Sequence, residues 1–537
     1  MTSKAPRAAN DFDAIVIGSG MGGLTTAAVL ARIHGMKVLV LERHYLAGGF
    51  THTFSRPGGF TWDVGVHYVG QVDEPGITRD ALTLVTGGKL AWSRMPDPYD
   101  RLWFPDFDFS IRASKERFEG DLIETFPAEA PAIRSYFADV ERVTRWQLPV
   151  IRTLAPAPIG WAASVLAKRT TRLATTTVGD YLSSRFHDPR LRAVLGSRWG
   201  DWGLPPGQSA FHPHAVITSH YMDGAFYPSG SASRIAETII PAIEAAGGKV
   251  RVRAEVERIL VEDGRAVGVR LAGGEELRSP LVISDAGARN TYLRLLAPEV
   301  PIPFRDELAR IPPSMAHACL YVGLSSSPAD LGVQGENHWF YGGLDHDQLW
   351  ARRGELLDGS PPSFSLFFPS MKDPEARHHT AEIIAPIDGA LFARWAGSRW
   401  MKRGPEYQAL KDRIADGLVA AVERRLPGFG ARIAYRELST PLSTSHFSGH
   451  PAGEIYGLPA TPDRYHQRWA NARTPVRGLF LTGADALMLG IFGAMMGGVV
   501  CAAAVAGLST FRHVSAEARK LSAAQPPTAS ATSPSIA

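Results

Sequence analysis

Residues 11–44 read DFDAIVIGSGMGGLTTAAVLARIHGMKVLVLERH. Ala14–Ile17 is a short unbroken apolar run, the pattern of a parallel strand buried on both faces. Leu24–Arg32 has helical spacing and small residues, and Lys37–Glu42 is a second β-prone run. Together they predict a β–α–β unit. Between strand and helix stands Gly18-x-Gly20-x-x-Gly23. Gly18 permits a tight turn, Gly20 lets the backbone approach a pyrophosphate, and Gly23 lets helix and strand pack closely. Ser19 and Gly22 complete this candidate phosphate loop. The helix N-terminus would offer free N–H groups and its positive dipole end to the phosphates. The glycines alone are a weak signal. Glu42, 19 residues after Gly23 at the end of the second strand, makes it specific, because an acid there can bond ribose hydroxyls.

An acid at position 42 disfavours an adenosine 2′-phosphate, which leaves FAD or NAD. Arg43 follows, and then Ala47-Gly48-Gly49-Phe50-Thr51. A second glycine pair lets the chain run against a pyrophosphate and a ribityl chain, which selects FAD. Arg43, Gly48, Gly49 and Thr51 join the candidate cofactor residues.

Working outward, residues 73–222 are rich in Trp, Pro and Arg, with helical stretches such as Ala130–Arg145. Ser233–Ala246 reads as a helix ending at Gly247-Gly248. Lys249–Ile259, Ala266–Leu271 and Leu281–Ser284 read as strands, with Glu262–Arg265 as a hairpin turn. Residues 300–473 alternate strands and helices without a repeat. The chain closes with a strand, Leu479–Thr482, and a run of small residues. That run, 486–511, carries no charge and is long enough to span a membrane. Its five glycines and its place directly after Thr482-Gly483-Ala484-Asp485 favour a buried helix against a cofactor.

The chain has 537 residues, 45% hydrophobic and 20% charged, enough for two joined domains with large cores. A net charge of +4, with no finger or basic helix, excludes a nucleic-acid partner. The two cysteines, Cys319 and Cys501, fit no metal spacing and no disulfide framework, which points to a reducing, cytoplasmic setting. No acid or Cys completes a metal site near the 17 histidines, so no metal is expected. The first ten residues lack a secretory apolar stretch and read as a disordered lead-in. Residues 513–537, rich in Ala, Ser, Pro and Thr, read as a disordered tail.

Three distant pieces resemble the flavin amine oxidase and phytoene desaturase superfamily. They are DFDAIVIGSGMGG…VLVLERHYLAGG, RAEVERILVEDGRAVGVRL…SPLVISDAG and RGLFLTGADALMLGIFGAMMGG. Within it, the chain resembles the retinol saturase branch, which is grouped with carotenoid isomerases and phytoene desaturases, from about residue 11 to 512. The strings GGFTHTF, GVHYVG, HYMDGAFYPSGSASRIAETIIPAIEAAGG, FFPSMKDP and LTGADALMLGIFGA carry this. Two positions depart: Gly230-Ser231 stands where the family usually has Gly-Gly, and Phe50 where a cysteine is common.

The resemblance implies an α/β fold, a two-layer Rossmann-like FAD domain of the amine-oxidase kind with an interleaved α+β substrate domain. Its FAD segments would be 11–72, 223–299 and 474–512, and its substrate segments 73–222 and 300–473. It implies that Val256 holds the adenine through its backbone and that Gly483 and Asp485 lie by the ribityl chain. A helix from Ile491, through Gly493, would aim its positive end at the flavin and stabilise the anionic reduced form. It implies a hydride transfer between flavin and an apolar polyene, retinoid or carotenoid-like, in a saturase. A desaturase or a cis–trans isomerase needs the same flavin over the same pocket. A single intact dinucleotide fingerprint leaves the external electron partner unnamed.

Saturation also needs a proton donor, and the branch strings contain His52, His67, Tyr68, His220 and Tyr221. His67 and Tyr68, close after the flavin glycines, are the first candidates. Finally, residues 141–192 hold nine Lys/Arg and three Asp/Glu around the apolar piece Leu154–Leu166, with Trp146 and Trp161. That pattern suits an interfacial helix, peripheral on the inner face of an anionic membrane.

Overall fold

The computed structural model describes residues 12–155 and 157–524. Strand β1 (Ala14–Ile17), helix α1 (Met21–His34) and strand β2 (Val38–Leu41) form the opening unit. Every residue of both strands is buried, which is why they read as unbroken apolar runs. Helix α1 stops at Gly35, whose φ of 64° places it in the left-handed region that closes helices.

Around this unit, among the described residues, five strands make one parallel sheet. Its order is Leu479–Leu481, Val282–Ser284, β1, β2, Lys249–Arg251. The sheet therefore draws on chain separated by more than 400 residues in sequence, and the fold is α/β. The hairpin Val256–Glu262/Arg265–Leu271 turns at Asp263-Gly264 and continues to Glu276–Arg278 as a separate antiparallel layer. A third, mostly antiparallel sheet of seven strands runs from Ile433–Ser439 through Ala316–Leu324, His379–Ile387, Ser363–Phe367, Asn337–Tyr341 and Asp100–Trp103 to Asp108–Ile111. One face of it packs on the helix Pro405–Glu423. Its other side, with the helices between residues 115 and 220, builds a second core rich in aromatics.

Three expectations are corrected. The strand expected over Lys249–Ile259 is two strands in different sheets. Arg253 N–H bonds the carbonyl of His44 and Ala254 N–H that of Glu42, which pulls the chain onto the end of β2 between them. The tail expected to be disordered from 513 is instead the helix Ser509–Ala523. Thr510, Val514 and Ala518, four residues apart, form its buried stripe. A stripe of small residues escaped a search for bulky periodicity. Residues 525–537 and the expected lead-in lie outside the described residues. Trp146 is buried against His212 and Tyr465 and does not face solvent as an interfacial residue would.

The charge-free run 486–511 contains a buried helix, Ile491–Ala506, packed across α1. A Cβ on Gly498 would lie 2.7 Å from the Gly22 carbonyl, so only glycine permits this crossing. Among the described residues, no helix is long and apolar enough to cross a membrane.

Candidate functional site

The fingerprint turn is built by contact. Gly18 has φ 96°, a conformation open to glycine. A Cβ on Gly23 would stand 2.3 Å from the Gly18 carbonyl, and one on Gly22 would stand 2.3 Å from the Gly483 Cα. Helix α1 begins with no side-chain cap and no acid in its first turn. The Glu42 carboxylate braces the turn from β2. It accepts from Ser19 N–H (2.9 Å), Ser19 Oγ–H (2.7 Å) and His44 N–H (2.7 Å). Gly48 N–H bonds back to Ser19 Oγ at 3.1 Å, and a Cβ on Gly49 would meet the Gly20 Cα at 2.9 Å. The two glycine motifs are thus pressed together.

A cavity of about 1240 Å³ opens from this turn. Typical small-molecule pockets run to ~300–1,000 Å³, so it has room for a cofactor and a second molecule. Of the expected cofactor residues, Gly18, Gly20, Gly22, Glu42, Arg43, Gly48, Gly49, Thr51, Val256, Asp485 and Ile491 line it. Ser19, Gly23, Gly483 and Gly493 do not; they make the close contacts that shape it. Gly493, for example, packs on the Met488 carbonyl. Arg43 pairs with Glu255 at 3.5 Å. Asp485 accepts from Ala288 N–H and Leu458 N–H, both at 2.7 Å, and so ties two loops to the cavity wall.

These residues fit a flavin dinucleotide. Bare helix N-termini at α1 and at Ile491, after Gly490 (φ 80°), suit phosphate and an anionic ring. Glu42 suits hydroxyls. Sequence reading missed Asp285, at the end of the strand beside β1. Its carboxyl bonds the backbone of Gly23 and Gly20, and burial pushes it up to about 7.

Beyond the glycines the same cavity becomes apolar. Met315, Leu320, Trp339, Phe364, Phe367 and Ile384 line it. Into this wall are set His67, His317 and Asp201. The His67 ring stacks on Phe367, centroids 4.3 Å apart, and its Nδ1 lies 3.0 Å from Glu382 Oε2. Burial lowers His67 to about 3 and raises Glu382 to about 8. Lys372 Nζ–H donates to the His67 carbonyl (2.8 Å) and to Asn337 Oδ1 (2.5 Å), and burial lowers it to about 8. Asp63, whose N–H bonds Glu382 Oε1 at 3.0 Å, is raised to about 7 by burial and then by Glu382.

Tyr68 does not line the cavity, which corrects its placement against substrate. It stacks on Tyr221 and donates its hydroxyl to Asp201 Oδ2 at 2.8 Å. Asp201 is the member of that pair that faces the cavity, and burial followed by Asp100 raises it to about 7. His52 lines the cavity with Nδ1 at the Gly49 carbonyl. His220 and Tyr221 lie behind the wall; His220 Nε2 accepts Gly70 N–H at 2.8 Å. Sequence reading missed Glu382, Lys372, Asp201 and His317, which no local pattern joins. Among the described residues, no group of three or more His, Cys, Asp or Glu is arranged for a metal ion.

The family model for flavin containing amine oxidoreductase matches residues 21–506. The chain is 33% identical over 530 residues to all-trans-retinol 13,14-reductase of Danio rerio, covering 93% of this chain and 87% of that one. It is 26% identical over 513 residues to prolycopene isomerase 1, chloroplastic, of an Oncidium hybrid cultivar, covering 93% and 84%. The solved cyclohexylamine oxidase of Brevibacterium oxydans shares the fold, with a TM-score of 0.58 at 18% identity over 95% of this chain and all of that one.

Proposed function

The chain belongs to the flavin containing amine oxidoreductase family and is an FAD-dependent oxidoreductase, and from that premise we propose that it saturates a carbon–carbon double bond of an apolar polyene, retinoid or carotenoid-like. The observation that carries this reading is that the dinucleotide cradle and the aromatic chamber are one cavity. Reduced FAD bound in that cradle supplies a hydride. The chamber's apolar walls hold the polyene and exclude water. His67 donates the proton, and Tyr68 acts from behind the wall by holding Asp201 toward the chamber. A cis–trans isomerisation, as the name of the Oncidium relative suggests, is the second reading, because it needs the same chamber without net reduction.

A lipid-dissolved substrate favours peripheral contact with a membrane. The helix Ala157–Leu166 leaves Ile159, Trp161, Val165 and Leu166 between 55% and 88% exposed. It sits in the segment with nine cations against three acids, which suits an anionic bilayer.

The test is an absorption spectrum before and after anaerobic reduction and addition of all-trans-retinol or a carotenoid. Flavin bands that bleach and then return, with a product heavier by two hydrogens, support saturation. A product lighter by two hydrogens means desaturation, and one of unchanged mass means isomerisation. Bound flavin that never responds to polyene rejects this substrate class.

A further inference from the structure

His67 is placed with unusual care for a histidine in an apolar wall. Gly65, two residues earlier, lies so close to Phe50 that a Cβ would stand 3.1 Å from the Phe50 side chain. The imidazole is then held on one face by Phe367, and its backbone carbonyl is held by Lys372. Its Nδ1 is closed off against Glu382, and the Nε2 edge is left open to the cavity. Glu382, on the strand His379–Ile387, is fully buried.

His67 Nδ1 and Glu382 Oε2 lie 3.0 Å apart, are buried, and neither makes a hydrogen bond to any other group or, at the present ring and carboxyl angles, to each other. Two bare lone pairs buried at that distance repel, so one of the two groups carries a hydrogen, and a small turn of the ring or the carboxyl lines it up between them. If it sits on Nδ1, Nε2 shows the cavity a lone pair, and His67 is a base. If it sits on the carboxyl, the ring's other hydrogen is on Nε2, and His67 is an acid. The Glu382–His67 pair therefore decides which half of a hydrogenation or dehydrogenation the wall can serve.

We propose that Glu382 is a positioning residue that carries this hydrogen, turns the His67 Nε2–H into the cavity, and resupplies the proton that the ring gives up. The supply of a proton to substrate rests on the saturase reading above. As the new C–H bond forms, the Nε2–H bond breaks. Its electron pair is that of the polyene after hydride addition from reduced flavin. Nδ1 takes the carboxyl proton, and Glu382 is left as a carboxylate facing Lys372.

The surroundings agree with a proton on the carboxyl. Burial pushes Glu382 up and His67 down. Asp63, a second carboxyl, faces Glu382 from the strand Phe60–Asp63, with Tyr227 bonded to its far oxygen. Cys319 and Tyr321 face it from Ala316–Leu324, and Lys372 supplies a cation. His317 lies beside His67 and further disfavours a second positive charge there. Asp100 and Glu336 act on Lys372 from the far side.

The test combines histidine nitrogen NMR of the flavin-loaded protein with pH profiles of polyene reduction. His67→Gln assigns the signal. At pH 7 the wild type should show Nε2–H. In Glu382→Gln, the Asp63 N–H keeps the amide oxygen at the Oε1 position, so the amide N–H still faces Nδ1 and the tautomer should survive. Proton resupply is then lost: kcat should fall about 100-fold, within the range of general acid catalysis, and the alkaline limb near pH 8 should vanish. Glu382→Leu should lose the tautomer. An Nδ1–H wild type, an Nε2–H tautomer that persists in Glu382→Leu, or a Gln variant with the wild-type profile each overturns the proposal. A limb that survives in the Gln variant belongs to Lys372 and does the same. If no polyene is reduced at all, the saturase reading fails, whereas the NMR result still decides what Glu382 does to His67.

Discussion

Replacing Glu42 by Ala is the most direct probe of the cofactor cradle. Glu42 is 7% exposed and its carboxylate takes three hydrogen bonds, two from Ser19 and one from His44. Bonds to a charged acceptor contribute about 1.5–3 kcal/mol each, or about 5–9 kcal/mol for three. Bonds in one network do not add, and water from the cavity reaches part of what the substitution leaves behind. About 3 kcal/mol of the total should appear in FAD binding, which is roughly a 100-fold weaker Kd. Fluorescence titration of deflavinated protein with FAD measures it, with a melting curve of the flavin-free protein alongside. Weaker binding with an unchanged melt assigns the loss to the ribose contact; loss of both assigns it to the turn. An Ala variant that binds FAD within threefold of wild type would refute the argument.

Three further outcomes are expected. Gly22→Ala forces a Cβ to 2.3 Å from the Gly483 Cα and 2.6 Å from its nitrogen, with Asp285 Oδ1 also at 2.6 Å, so even if the Asp285 side chain moves the backbone clash remains. It should cost the upper end of the ~1–3 kcal/mol range for overpacking and lower both the melting temperature and the flavin-to-protein absorbance ratio; a flavin-replete variant with the native melt contradicts the contact. Asp63 is raised from 3.8 to about 7 by burial and by Glu382, so between those values the native state binds the extra proton. Its stability contribution is full below the unfolded value and is lost as pH rises through about 7. Asp63→Asn should therefore gain on wild type in melting temperature between pH 5 and pH 8, and a constant difference would show that Asp63 does not titrate there. Trp161→Ser with Leu166→Ser should abolish flotation with anionic vesicles at low salt and leave flavin content unchanged; wild type that stays with the soluble fraction ends the membrane reading.

Legibility in the sequence followed distance along the chain. Gly18, Gly20, Gly23 and Glu42 were readable because 25 residues contain the whole turn, its helix and its acid. The helix from Ile491 was readable as buried because its glycines only make sense against another backbone, which proved to be that of α1. Glu382 could not be read. It meets Asp63 across 319 residues, and an isolated Glu in a β-prone run looks like a solvated strand face. Asp201 was hidden for a related reason: the string that drew attention was GVHYVG, and Tyr68 in it reaches the cavity wall only by its hydrogen bond to Asp201. The helix Ser509–Ala523 was missed because Ala and Thr fill a buried stripe as well as Leu does when the opposing surface is close.

A stability argument alone does not account for the cluster of Asp63, His67, Lys372 and Glu382. Burying such groups is expensive, and replacing buried ion pairs by apolar residues of similar volume is often neutral or stabilising. The surrounding sheet shows what a core built for stability would hold: Leu320, Phe364, Leu366 and Ile383 fill the neighbouring positions. In this cluster His67 lines the cavity, and Asp63, Lys372 and Glu382 stand behind it. A reaction that moves a hydride through a flavin must also move a proton, and His67 lines the cavity where that proton is needed. Burial that costs stability is thus better explained by a proton held at a set place beside the cavity than by the strength of the fold.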